Sequence, residues 1–185
     1  MKVTARKLTN IKDLATISMC VAMIVVCSWL TIPFTVNFTL QTLAIFIVSA
    51  LLSFKKSMAT VCVYILIGVL GVPVFSGFGA GPSALFGATG GFIVGFLFIP
   101  LSMKLFRKRD KKSKIRTAFA MSAGLVACYI SGTVWYCTVY GSLSVMGVLS
   151  AVSVCVLPFI LPDAFKIFLA VIISSRISYS KIFNT

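Results

Sequence analysis

The sequence has no histidine and only three acidic residues, Asp13, Asp110 and Asp163. Without histidine, a Ser–His–Asp triad, a Cys–His pair and an HExxH zinc site are all excluded. No GxxxxGK[ST] loop occurs either, so the chain does not hydrolyse ATP through a P-loop of its own, and any ATP-driven step needs another subunit. The six cysteines (Cys20, Cys27, Cys62, Cys128, Cys137, Cys155) contain no CxxC pair and all lie in or beside apolar segments. They read as small buried hydrophobes, not as metal or redox ligands. Charged residues are scarce too, at 11% of 185 residues. What is left is 59% hydrophobic with a mean hydropathy of +1.09. A soluble domain of this length cannot bury so much apolar side chain, so the expected solvent is a bilayer and the expected organisation one domain over 1–185.

The few charges are spaced in a way that sets the topology. Uncharged runs of 41, 47 and 46 residues separate Asp13 from Lys55, Lys56 from Lys104, and Arg116 from Asp163. One span needs about 20 residues, so each run holds two helices and a connection. The expected fold is therefore an all-α membrane protein, a compact bundle of six transmembrane helices arranged as three hairpins. Asn10 caps the first helix, with Asp13 in its first turn; it runs from near Ile11 to Ile32, where Pro33 stops it. The others span roughly Phe38–Ser53, Ser57–Val72, Ala88–Met103, Thr117–Tyr136 and some part of Gly147–Ser175. The Met1–Asp13 start is expected to be retained, because it is followed by a full-length apolar span with no small-residue cleavage site.

The net charge of +14 comes from clusters at helix ends: Lys2, Arg6, Lys7 and Lys12; Lys55–Lys56; the run Lys104–Arg116; and Arg176 with Lys181. With both termini cytoplasmic, 16 of the 17 Lys and Arg face inward and only Lys166 does not. The outer connections, near Pro33–Asn37, Pro73–Gly87 and Cys137–Met146, are then free of charge, which is the positive-inside pattern. Such clusters attract anionic lipid, whereas no folded basic face exists to engage nucleic acid.

Lys166 belongs to the stretch with most chemical content, Pro158-Phe-Ile-Leu-Pro162-Asp163-Ala-Phe-Lys166. Asp163 and Lys166 are the only charges deep in apolar sequence. Pro162 suits the first position of a helix, and residues three apart share one face. The two charges either neutralise each other or together bind a polar ligand, and ionisable groups at membrane depth usually mark a functional pathway. Gly147–Ser175 would measure about 43 Å as one helix, more than a ~30 Å core, so Pro158 and Pro162 are expected to kink or interrupt it.

Seven of the thirteen glycines lie between Gly71 and Gly91. Irregular backbone at membrane depth must be buried in protein or line a cavity. An outer loop around Phe75, Gly77 and Phe86, ending in Thr89-Gly90-Gly91, is thus expected to fold over a pocket. Gln41, with Thr39 and Thr42, begins a helix at the outer face as a hydrogen-bonding wall or a plain helix start. Trp135, beside Tyr136, either packs on a ligand or joins the interfacial aromatic belt where Trp29 belongs. Ser18 and Ala22 form a small-xxx-small pair that permits close helix approach. Asn37-Phe-Thr39 fits a glycosylation sequon but sits too close to the membrane to carry weight.

The run TIPFTVNFTLQTLAIFIVSALLS, the block YILIGVLGVPVFSGFGAGPSALFGATGGFIVGF, the GTVWY segment and the final LPFILPDAFKIFLA resemble the biotin transporter BioY family. These are the substrate-binding S components of energy-coupling-factor (ECF) transporters, and the likeness covers nearly the whole chain. It implies a six-helix plasma-membrane protein, not an enzyme and without a cofactor or metal. Such a protein captures biotin from outside and docks on a coupling subunit bearing two cytoplasmic ATPases. It also implies that Asp163 and Lys166, at the family's PDxxK positions, contact the ligand, with Thr89, Gly90, Gly91 and the Phe75–Gly81 loop closing over it. A charge-assisted bond from Lys166 would hold a carboxylate or ureido oxygen, and Asp163 would accept from a ureido N–H. Trp135, Phe75 and Phe86 would cover the apolar ring. Two departures stand out: Ala88 replaces the proline of the usual GPTGG, and only Ser18-xxx-Ala22 approximates the alanine motif used for docking. Rival readings are an S component for another small vitamin, a structural membrane subunit, and a membrane-embedded enzyme using Asp163 and Lys166, which has few tools for catalysis.

Overall fold

A computed structural model describes residues 11–32, 38–106, 113–139, 147, 149, 151–153 and 156–179. The expected cap at Asn10, the outer turn Pro33–Asn37, the cationic residues 107–112, the segment 140–146 and Cys155 lie outside the described residues.

Helix α1 (Ile11–Trp29) begins where expected, with Asp13 in its first turn. It ends three residues before Ile32, because Thr31–Ile32 is a short strand pairing antiparallel with Phe38–Thr39, in the register Thr31↔Thr39 and Ile32↔Phe38. Thr31 and Ile32 are β-branched, and Pro33 biases the residue before it toward extended backbone, so helix cannot continue here. Among the described residues the fold is thus helical with one short antiparallel strand pair. This pairing also delays α2, which spans Gln41–Leu51 and not Phe38–Ser53. Helix α3 (Phe54–Val69) starts earlier than expected, so Lys55 and Lys56 fall in its first turn. Lys56 meets Asp13 at 2.6 Å, and Lys104 lies 4.4 Å from the centre of the Phe54 ring. One end of the molecule therefore gathers the starts of α1 and α3.

After α3 the chain turns at Gly71 (φ +100°) and runs through a 3-10 turn, Ser76–Phe78, into α4 (Pro82–Phe86). The single helix expected over Ala88–Met103 is two, α5 (Gly90–Gly95) and α6 (Phe98–Phe106). Pro100 explains the break. It has no N–H for the Phe96 carbonyl and its ring crowds that oxygen. The Phe96 carbonyl accepts instead from Ile99 N (3.2 Å), a tighter turn. Helix α7 (Lys114–Val139) is longer than expected at both ends and starts beside Ser113, whose Oγ accepts from Arg116 N. The last helix, α8, spans Leu157–Tyr179. Pro158 rather than Pro162 occupies its first turn, and Pro162 lies inside it. Helical residues at 151–153 and a turn at 156 precede it, so the apolar stretch is interrupted before Pro158.

Ile24, Ile45, Phe46, Val61, Tyr64, Ile99, Met121 and Ala170 are fully buried and bring α1, α2, α3, α6, α7 and α8 into one core. Among the described residues, α1, α7 and Leu157–Ile177 are long and apolar enough to cross a membrane. Their outward faces carry Met19, Phe119, Ile130, Phe165 and Phe168, all at least 60% exposed, a surface suited to hydrocarbon and not to water.

Candidate functional site

Asp163 and Lys166 project from one face of α8 toward α2 and α7, and they are only 2% and 3% exposed. Lys166 Nζ donates to Asp163 Oδ1 at 2.7 Å and to Thr42 Oγ1 at 3.1 Å. The Thr42 hydroxyl in turn donates to Asp163 Oδ1 at 3.4 Å. The other carboxylate oxygen, Oδ2, accepts from the Tyr129 hydroxyl of α7. The third face of the ammonium lies 4.1 Å from the centre of the Phe38 ring, a cation–π contact. Phe38 stacks in turn on Phe159. Two charges out of water are tolerable only when paired and hydrogen-bonded on every side, and three separate elements supply those partners here.

The pair lies on the wall of a cavity of about 90 Å³, completed by Thr39, Gln41, Thr42, Thr89, Phe92 and Tyr129, among others. The lining combines these polar groups with the rings of Phe92, Phe96 and Phe159. Such a surface can take a small molecule that has both hydrogen-bonding edges and an apolar body. Among the described residues, no three His, Cys, Asp or Glu side chains come together as metal ligands would.

Of the residues singled out from sequence, Asp163, Lys166, Gln41 and Thr89 line this cavity, with Thr39 and Thr42. The others do not, and each has a different job. Phe75 is 3% exposed and edge-on to Tyr64 in the core. A Cβ at Gly68 would sit 2.2 Å from the Phe75 ring, so the ring is seated on that bare glycine. Gly77 holds φ +65° in the turn that carries the neighbouring Phe78 ring to Trp29, 5.4 Å between centroids. Trp135 donates from Nε1 to the Gly87 carbonyl at 3.1 Å, which ties the glycine-rich segment to α7. A Cβ at Gly91 would meet the Trp135 Cβ at 2.2 Å, and one at Gly90 would meet the Leu85 carbonyl oxygen at 1.6 Å. Both glycines thus serve close packing of α5. Phe86 is 71% exposed, and Tyr136 is half-buried outside the cavity lining. Ser18 and Ala22 are both exposed on α1.

Gln41 has two roles. It lines the cavity and donates from Nε2 to Tyr64 OH at 2.9 Å. Tyr64 donates onward to the Val74 carbonyl, which also accepts from Ser28. The carbonyl can only accept, so the tyrosine proton points to it and the amide must present its N–H₂ to the ring oxygen. The cavity wall and the root of the 71–81 loop therefore share one buried network.

Tyr129 and Phe38 are the two partners that sequence reasoning missed. A phenol in mid-span requires a hydrogen-bond partner there, and Asp163 is the one acid in the apolar sequence, so a signal existed for Tyr129. None existed for Phe38, one of sixteen phenylalanines.

Residues 1–181 match the family model described as the BioY family. Curated relatives carry that name as well. The chain is 33% identical over 157 residues to the biotin transporter BioY of Thermotoga maritima, covering 84% of this chain and 89% of that protein. It is 34% identical to biotin transporter BioY2 of Lactococcus lactis subsp. cremoris, over 69% of this chain and 70% of the other. It is 32% identical to a probable BioY of Pyrococcus horikoshii, over 77% and 80%. The fold is shared with a crystal structure described as the S-component for biotin from an ECF-type ABC transporter. The TM-score is 0.79 at 22% identity, covering 93% of this chain and 95% of that one.

Proposed function

The chain belongs to the BioY family, and on that footing we propose that it is a biotin-capturing S component of an ECF-type transporter. In this reading it takes biotin from outside and passes it to a coupling subunit driven by two cytoplasmic ATPases. It is a transport protein and not an enzyme. The observation that carries the assignment is the Asp163–Lys166 pair, buried on the wall of a cavity beside Thr42, Gln41 and Tyr129.

Biotin presents two ureido N–H donors, a ureido carbonyl, a carboxylate and an apolar ring. Asp163 accepts from a ureido N–H and Lys166 donates to a ureido or carboxylate oxygen, both as charge-assisted bonds. Gln41, Thr39, Thr42 and Thr89 bind the remaining polar edges, and the aromatic part of the lining takes the ring. Phe75, Gly77, Gly90, Gly91 and Trp135 act at one remove, by fixing the 71–81 loop and α5. The whole chain works as one domain of six membrane helices, with both termini cytoplasmic. This is supported by the three long apolar helices, the shorter apolar segments Gln41–Leu51 and Gly90–Phe106, and the positions of the basic clusters. Ser18 and Ala22 offer the exposed small-residue face of α1 to the coupling subunit.

Equilibrium binding of biotin to the purified protein in detergent tests the assignment. Wild type is expected to bind tightly at one site, and Asp163→Asn and Lys166→Ala to lose tight binding. Wild-type affinity in either variant would remove the pair from the site. Displacement by a different unlabelled vitamin, and not by biotin, would reassign the ligand.

A further inference from the structure

The cavity beside Asp163 is too small for its proposed ligand. Its ~90 Å³ compares with roughly 300 Å³ or more for ordinary small-molecule sites. An open apolar groove of about 810 Å³ lies on the outward surface between α7 and α8, lined by Val126, Ile130, Thr133, Val156, Ile160 and Ala164 among others. The cavity and the groove share only Leu125 and Tyr129 in their linings. Tyr129 is therefore part of the partition between a polar compartment and an apolar one. The ring packs against the edge of the core, and its hydroxyl donates to Asp163 Oδ2. Lys166 and Thr42, by contrast, both engage Oδ1 and each other.

We infer that Tyr129 is a latch. Releasing its hydroxyl from Asp163 frees Oδ2 for a ligand N–H, and swinging its ring merges the cavity and the groove into one amphipathic pocket. The polar compartment then reads the hydrogen-bonding head of the ligand, and the α7–α8 groove accepts the part of the ligand that this small compartment cannot hold. This rests on the proposed binding function, because it describes how that site admits a ligand. Since the latch bond exists only in the closed arrangement, it opposes binding. Phenylalanine keeps the ring and removes the bond, so Tyr129→Phe shifts the population toward the open arrangement.

The test uses the full-length protein in detergent with two readouts. Biotin affinity of Tyr129→Phe by calorimetry is expected to rise about tenfold, the lower end of what one bond to a charged group is worth. The second readout needs no ligand. Cys128 lines the polar cavity and is 2% exposed. In a background where it is the only cysteine, its modification by N-ethylmaleimide is expected to be several-fold faster with Tyr129→Phe than with Tyr129. A weaker or unchanged affinity overturns the latch, and so does an unchanged labelling rate. Should wild type fail to bind biotin, the functional assignment fails, and the labelling rate alone decides the latch.

Discussion

Lys166 sits in apolar surroundings because its charge is answered there, by Asp163, by Thr42 and by the face of Phe38. A pair so arranged is not an efficient source of stability, since desolvation offsets much of the attraction, but breaking it on one side is costly. Lys166→Ala is expected to leave Asp163 unpaired and to lower stability by about 3–5 kcal/mol. The double variant Asp163→Asn with Lys166→Met removes both charges and is expected to regain most of that loss while still failing to bind biotin. Thermal melts of the three proteins, with and without biotin, separate the structural from the ligand role of these residues. A double variant as unstable as Lys166→Ala would show that the pair holds the bundle together. The sequence alone could place the two charges on one helical face, because three-residue spacing is a local matter. It could not say whether they faced each other, a ligand or both.

At the scale of elements, the glycine-rich segment works through contact with α7. Gly91 faces Trp135 and the Ser131 carbonyl, so α5 lies flush on α7 with no room for a methyl group. Gly91→Ala is expected to cost about 1–3 kcal/mol, as overpacking does. Calorimetry should show biotin affinity falling less than it does in Lys166→Ala, since no ligand contact is removed. A loss of binding as complete as that of Lys166→Ala, with an unchanged melting temperature, would make Gly91 a direct contact. The loop between α3 and α4 follows similar logic: Phe75 is seated in the core, and the Val74 carbonyl accepts from Tyr64 and Ser28. An accumulation of glycine announces that the backbone is irregular or tightly packed, and here it is both. Which glycines turn the chain and which admit a neighbour depends on packing partners far along the sequence.

For the whole molecule, the basic clusters predict an orientation that labelling can read. In a cysteine-free background, Ala80→Cys should react with a membrane-impermeant maleimide added outside intact cells, and Ser113→Cys only after permeabilisation. The reverse result would invert the topology. In the proposed function, docking falls to the exposed face of α1, where Ser18 and Ala22 lie side by side one turn apart. Ala22→Leu is expected to reduce co-purification of the coupling subunit at least several-fold while leaving biotin affinity unchanged. Loss of biotin binding in that variant would move Ala22 from the docking face to the core.

The sequence by itself determined that this is a helical membrane protein, and it confined the buried charge to Asp163 and Lys166. Hydropathy, charge clusters and helical spacing are properties of neighbours along the chain, and they need no knowledge of the fold. Only the tertiary structure decided that Thr42, Phe38 and Tyr129 surround the pair, and that Phe75 and Trp135 hold the scaffold outside the cavity. The contacts around the pair join residues 34 to 128 positions apart, from Tyr129 with Asp163 to Phe38 with Lys166. Local periodicity fixes which face of a helix turns inward; the packing of whole helices chooses what that face meets.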